Sequence, residues 1–286
     1  RGEASCLKTA HLLLYIGVKL CSVDAQQCKV KDMVGTKQEQ DVKVFLLKLL
    51  AEIRRCEGSF DRLMLCMLLG SRAPGHGCGW YLETEEEEEK VRDITYIFAN
   101  IGELDNCSVV DLVSEPIWSL GSSPVVVAAL ADASELLLVL LQHGAGESQQ
   151  QHLTYKADPI QLSIAFVVRK LASIQHVRLA TELQPPKPGL DLFRHTVNTP
   201  TLKCLRYLLR TVPWVSAKFL NQHVTGSIRD VSLVLPGVYL GLDPPTLKHL
   251  ARCATRSNLR MHGLLPHGLE QIGLPATLKD FVNLLK

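Results

Sequence analysis

Apolar residues recur at helical spacing along most of this chain. Val42, Phe45, Leu46, Leu49, Leu50 and Ile53 form one stripe, with Lys43, Lys48 and Glu52 on the other side, which predicts an amphipathic helix. Gly58 stops that helix, and Ser59 opens an apolar stretch, Leu63 to Leu69, that should pack as its hairpin partner. Helical segments are also expected over Val91 to Phe98, Cys107 to Val113, Pro159 to Leu171 and Pro200 to Val212. The last carries the spacing Leu202, Leu205, Leu208 and Leu209.

A tighter unit spans Ser123 to Ala145. Ser123 is placed to cap a helix that opens with Pro124, Ser134 to cap the next, and Gly144 to end it in a left-handed turn. The run Leu136 to Leu141 is apolar all round. Burying each leucine is worth roughly 1.5–3 kcal/mol, so this helix must be covered on both sides.

The C-terminal stretch has its own pattern. Asp243-Pro244-Pro245-Thr246 reads as a helix start, with the aspartate as cap and the prolines in the opening turn. Leu247, Leu250, Ala251 and Ala254 then form an apolar stripe, while Lys248, Arg252 and Arg256 form a basic face. A second stripe, Leu278, Phe281, Val282 and Leu285, leaves Lys279, Asp280 and Asn283 outward, so two short helices could cover each other. Between them, Leu264-Leu265-Pro266-His267-Gly268-Leu269 and Ile272-Gly273-Leu274-Pro275 forbid a long helix and suggest a turn or a single helical turn.

From Pro244 onward these residues resemble a SOCS box, the module that ends many adaptors of cullin-RING ubiquitin ligases. The resemblance implies Elongin C binding, with Elongin B, through Thr246, Leu247, Leu250, Ala251 and Thr255. Leu247 would be the anchor and Ala251 the small residue permitting close approach, while Leu250 and Ala254 would pack inside the box. Thr255 stands where the family has an apolar residue. The resemblance also implies cullin binding, by Cullin 5 with its RING subunit, through Ile272, Gly273, Leu274 and Pro275, followed by Leu278-Lys279-Asp280-Phe281. Gly273 replaces the first proline of the family's Leu-Pro-apolar-Pro, which bears on cullin choice and strength.

Ser123 to Ala145 resembles an ankyrin repeat without a gap, although Val126 replaces the usual histidine and Asp132 the turn glycine. One repeat cannot bury its own faces, so neighbouring helix pairs must stack on it. Together the two segments are similar to the ankyrin repeat and SOCS box family, most like an atypical member whose ankyrin sequence is barely recognisable. The expected fold is therefore all-α, a degenerate ankyrin-like helical repeat stack followed by a small helical SOCS box. The expected partition is an N-terminal helical region over 1–92 with an acidic insertion near 71–90, ankyrin-like repeats over 93–215, a linker over 216–242 and the box over 243–286.

Composition changes this picture little. The chain has 286 residues, 47% of them hydrophobic, and a net charge of +2, which supports a sizeable core and gives no global pull toward DNA or anionic membrane. The nine cysteines have no paired CxxC spacing and are read as reduced, mostly buried thiols of a cytosolic or nuclear protein. The run Leu12 to Val18 is read as part of an amphipathic helix rather than a signal core.

Glu83 and Glu85 to Glu89 read as a solvated loop, and Lys248, Arg252, Arg256 and Arg260 as a solvated helix side without the aromatic interleaving of a nucleic-acid surface. His76 beside Cys78 lacks both an oriented base and a second ligand pair, so neither catalysis nor metal binding is expected there. Asn106-Cys107-Ser108 fits the glycosylation pattern, which matters only in a secreted protein. No hydrolase elbow, phosphate loop or HExxH motif occurs, and no cofactor is expected. The leading function is a non-catalytic ligase adaptor with an unknown protein target; a helical scaffold whose tail merely closes the stack comes second and an enzyme third.

Overall fold

The computed structural model describes residues 2–28, 37–70, 87–101, 109–117, 120–146, 158–181, 199–224 and 235–285. These form helices and connecting turns, with no strand among them. The all-α expectation holds. Two compact units divide the chain, Arg1–Gly121 and Ser122–Lys286.

The first unit contains α1 (Gly2–Cys28), α2 (Lys37–Glu57), α3 (Asp61–Leu69), α4 (Glu87–Ile101) and α5 (Val109–Ser114). Gly17 of α1 meets Leu46 of α2 so closely that a Cβ there would lie 2.5 Å from Leu46 Cδ2. His11 lies 3.0 Å from Glu57 near the far end of α2, so α1 and α2 run antiparallel. Gly58 has a φ of 72° and its amide donates to Arg54 O at 2.8 Å, ending α2 where the sequence predicts. The core gathers Leu14, Val18, Leu50, Ile53, Leu63, Met67, Ile94 and Phe98.

Three expectations change in this unit. Leu12 to Val18 lies in a helix, but Leu12, Leu13 and Ile16 are exposed while Leu14 and Val18 are buried, so α1 is apolar on both faces here rather than amphipathic. Glu87 to Glu89 form the first turn of α4 rather than a loop, and Glu89 pairs with Lys19 at 3.2 Å; carboxylates suit the positive end of a helix. Cys66 is disulfide-bonded, whereas Cys21, Cys56, Cys204 and Cys253 are thiols outside any disulfide. A disulfide depends on Cα separation in the fold, which sequence spacing does not report. Glu83 to Glu86, His76, Cys78 and Asn106-Cys107-Ser108 lie outside the described residues.

The second unit opens with the hairpin α6 (Pro124–Leu130) and α7 (Ser134–Gln142), then α8 (Pro159–Thr181), α9 (Pro200–Leu209) and α10 (Ala217–His223). The first helix of each pair packs on the first of the next, α6 on α8, and the second on the second, α7 on α9. That is the geometry of stacked hairpins. Leu136 to Leu141 are all buried, as their composition requires.

Local chemistry in the hairpin follows the sequence in part. The Ser123 hydroxyl accepts from Val126 N and Pro124 opens α6, while Gly144 ends the unit at a φ of 84°. Ser134 is not a cap; it is the first residue of α7, and its hydroxyl donates to Glu135. Asp132 takes a φ of 57°, a left-handed conformation that aspartate tolerates better than most residues. Its carboxylate accepts from Thr201 Oγ1 of α9 at 2.8 Å and from Lys170 Nζ of α8. The turn between α6 and α7 is thus tied to the next hairpin.

Candidate functional site

Proline sets the start of the C-terminal helix. After a 3₁₀ turn at Gly237–Leu240, Gly241 adopts a φ of 71° and the chain enters Asp243-Pro244-Pro245. A residue that precedes proline is driven out of the α region, so neither Asp243 nor Pro244 can be helical. The cap is Thr246, at φ −64° and ψ 144°, whose hydroxyl oxygen accepts from His249 N at 3.2 Å. The helix begins three residues later than the aspartate suggested; α11 is Leu247–Met261.

Its faces are reversed from the sequence expectation. His249, Arg252, Arg256 and Leu259 are the buried residues, with Arg252 at 6% and Arg256 at 4% exposure. Leu247 is 84% exposed, Ala251, Ala254 and Met261 are exposed, and Leu250 and Thr255 are half-buried. Ala254, expected to pack inward, faces solvent, and of the basic face read as solvated Arg252 and Arg256 are buried, Arg260 is half-buried and only Lys248 is exposed.

The reason lies in backbone carbonyls that periodicity does not count. The last carbonyls of a helix lack intrahelical partners and carry the negative end of its dipole. Arg256 donates through Nη2 to Leu141 O, at the end of α7, and through Nη1 to Val282 O at 3.1 Å. One turn further on, Arg260 Nε donates to Gly144 O at 2.8 Å. Arg252 donates to His249 Nδ1 at 2.9 Å, so the imidazole is the neutral tautomer whose Nε2 donates to Val212 O at 2.9 Å. Desolvation is the main cause that lowers the His249 pKa, and Arg252 adds to it; desolvation also lowers that of Arg252. The ring of Phe281 lies 4.3 Å from the Arg252 guanidinium carbon and 4.4 Å from Lys248 Nζ.

The remaining segment folds around a small core. Leu259, Leu265, Leu269 and Val282 are buried together, with Ile272 and Phe281 packed against them. A cis Leu265–Pro266 bond precedes α12 (Gly268–Gln271), the single helical turn that the Pro and Gly spacing predicts. The chain is then extended through Ile272, whose ψ is 130°, and Pro275 caps α13 (Ala276–Val282). Of the residues expected to meet a cullin, Ile272 and Leu274 are half-buried, Gly273 and Pro275 are exposed, and a Cβ on Gly273 would meet nothing within 4 Å. The second apolar stripe is only partly inward. Val282 is buried, but Leu278 and Leu285 are exposed, because the helix stops at Val282 and Leu284, at a φ of 67°, takes the buried place instead.

The fold therefore brings the Leu247 and Ile272–Pro275 segments onto one small core through Phe281. Arg256, Arg260, Arg210 and Gln142 were missed as its fasteners. The available signal was the i, i+4, i+8 spacing of Arg252, Arg256 and Arg260, set against a hairpin ending in an orphan-carbonyl turn at Gly144. Among the described residues no group of His, Cys, Asp and Glu could hold a metal ion, and no helix is long and apolar enough to cross a membrane.

A SOCS box is recognised at residues 243–283. SOCS boxes link substrate-binding proteins to Elongin B/C–cullin ubiquitin ligases. No curated protein and no solved structure was found to match the chain.

Proposed function

We propose that this chain is a substrate-recognition adaptor of an Elongin B/C–cullin-RING ubiquitin ligase, built as an ankyrin-like helical body with a SOCS box and working in the cytoplasm or nucleus. The observation that carries it is the stripe Leu247, Ala251, Ala254 and Met261, left in solvent by a helix that packs through its arginines. An exposed aliphatic anchor followed one turn later by a small residue suits insertion into a groove on another protein. In this reading Thr246, Leu247, Leu250, Ala251 and Thr255 meet Elongin C, and Ile272, Gly273, Leu274 and Pro275 meet Cullin 5. The body holds a protein target, so catalysis is by proximity: acyl transfer takes place between the ligase's conjugating enzyme and the target, and this chain contributes no reacting group.

Leu247→Ala tests the reading by co-purification with Elongin B and Elongin C. Burying a leucine on binding is worth roughly 1.5–3 kcal/mol, so the variant should bind about 10-fold to 100-fold more weakly. Its melting temperature should not move, since Leu247 is 84% exposed. Undiminished capture would overturn the reading.

The packed arginine face favours a second role, closing the helical stack. The two roles use opposite faces of α11 and do not compete. Deleting residues 244–286 cannot separate them, because the deletion also removes the arginine donors to Leu141 O and Gly144 O.

A further inference from the structure

Three consecutive carbonyls at the end of the chain are held by donors from three different helices. Arg256 of α11 donates to Val282 O at 3.1 Å, Gln142 of α7 donates to Asn283 O at 3.1 Å, and Arg210, which ends α9, donates to Leu284 O at 2.7 Å. Two of the three donors lie outside the box, and Gln142 is 141 residues from its acceptor. The bonds do not belong to a helix interior: they start where α13 stops, at Val282, and run into the left-handed Leu284, whose side chain is fully buried. This strip of backbone would otherwise carry unsatisfied carbonyls beside a protein surface.

The same row of side chains grips the body. Arg256 also reaches Leu141 O, Arg260 reaches Gly144 O, and Cys253 Sγ lies 3.9 Å from Arg210 O. Two helix C-termini, those of α7 and α13, therefore converge on one set of cationic and amide donors. Each contact is directional.

We propose that Arg210 and Gln142 are positioning residues that latch the chain's last turn onto the α7 and α9 ends, so that the box and the preceding hairpins move as one rigid piece. With the latch closed, α13 keeps Phe281 between Lys248 and Arg252, and this supports α11 from behind. Opening it releases α13 and lets α11 shift, which removes the backing of the Leu247 stripe. The consequence for docking rests on the adaptor reading above; the latch itself does not. It fixes the geometry between a target carried by the hairpins and a ligase held by α11, where a tethered box would let the target wander.

The test is amide hydrogen exchange on the full chain, comparing wild type with Arg210→Met, Arg210→Lys and the double variant Arg210→Met with Gln142→Leu. A hydrogen bond to a charged group is worth roughly tenfold or more in a local opening equilibrium, so exchange over 276–285 should rise about that much in Arg210→Met, more in the double variant and less in Arg210→Lys. Exchange in α6 to α9 should stay at the wild-type rate. An unchanged rate over 276–285, or an equal rise across all of Ser122–Lys286, overturns the latch.

Capture of Elongin B and Elongin C is read in parallel. A double variant that opens locally and also binds several-fold more weakly supports positioning, whereas equal capture despite local opening overturns it. If wild type captures no Elongin, the adaptor reading fails on its own and the exchange data still decide the latch.

Discussion

Replacing Arg256 with methionine should cost the protein far more than a residue on a solvated face could. The side chain is 4% exposed and bonds both Leu141 O and Val282 O. Each bond to a charged donor is worth roughly 1.5–3 kcal/mol, and methionine keeps most of the packing volume while taking the charged donor from Val282 O and leaving Leu141 O with backbone amides such as that of Gly144. Part of the loss is offset, since the variant no longer desolvates a guanidinium. A net destabilisation of about 2–4 kcal/mol remains. For a cooperative unit the size of Ser122–Lys286, each kcal/mol moves the melting temperature by roughly 2–4 °C, so a fall of about 4–16 °C is expected. Urea and thermal unfolding followed by circular dichroism measure it, with Lys218→Met, at an exposed position of α10, as the control. A solvated arginine would change stability by no more than about 0.5 kcal/mol. If the two variants melt within a degree of each other, the packed-arginine account is wrong.

Gly273→Pro should restore the family's proline without strain, because Ile272 is already extended and a Cβ at 273 meets nothing within 4 Å. Unfolding should stay within about 0.5 kcal/mol of wild type while capture of Cullin 5 tightens; weaker or unchanged capture would refute the cullin assignment. Acid should destabilise the second unit between pH 6.5 and 4. Burial pushes the His143 pKa from 6.5 down to about 4, so below 6.5 the unfolded chain binds a proton that the folded one refuses, and stability falls with pH. The loss should reach about 2 kcal/mol at pH 5 relative to pH 7, read from urea midpoints. His249, also lowered, adds to it, while Asp158, raised by burial, opposes it. His143→Gln should flatten most of this dependence, and an unaltered slope would show that His143 does not carry it.

What was legible in the sequence follows the physics each residue obeys. Caps and stops set by local chemistry came through: Ser123 before Pro124, Gly58, Gly144 and the broken stretch around Gly268. So did the demand that Leu136 to Leu141 be buried. The helix positions of the C-terminal segment were also readable, but not its orientation. Periodicity says which residues share a face, and hydropathy then assigns the apolar face inward by default. That default fails for α11 because much of the surface it meets offers carbonyl oxygens, with apolar contact concentrated at Leu259. The misplaced cap has the same origin as the correct helix: aspartate caps well, yet two prolines behind it exclude the α region at 243 and 244. The Cys66 disulfide was invisible for a different reason, since pairing is a distance in space.

On the adaptor reading proposed above, the reversal of α11 also explains how a docking helix can be stable before its partner arrives. An amphipathic helix ordinarily folds by burying its apolar stripe, and a stripe already buried cannot bind anything. Here Leu247, Ala251, Ala254 and Met261 contribute little to folding, so something else must hold fifteen residues in place. The donors of Arg256, Arg260 and His249, the last held by Arg252, do this with directional contacts to Leu141 O, Gly144 O and Val212 O. Polar fastening separates the two requirements: changes along the exposed stripe alter recognition and leave the fold alone, whereas changes along the arginine row alter the fold and reach recognition only through it. Leu247→Ala and Arg256→Met are the two ends of that separation. Combined in one chain, their effects on stability should add within about 0.5 kcal/mol, because the two residues face opposite ways and share no partner.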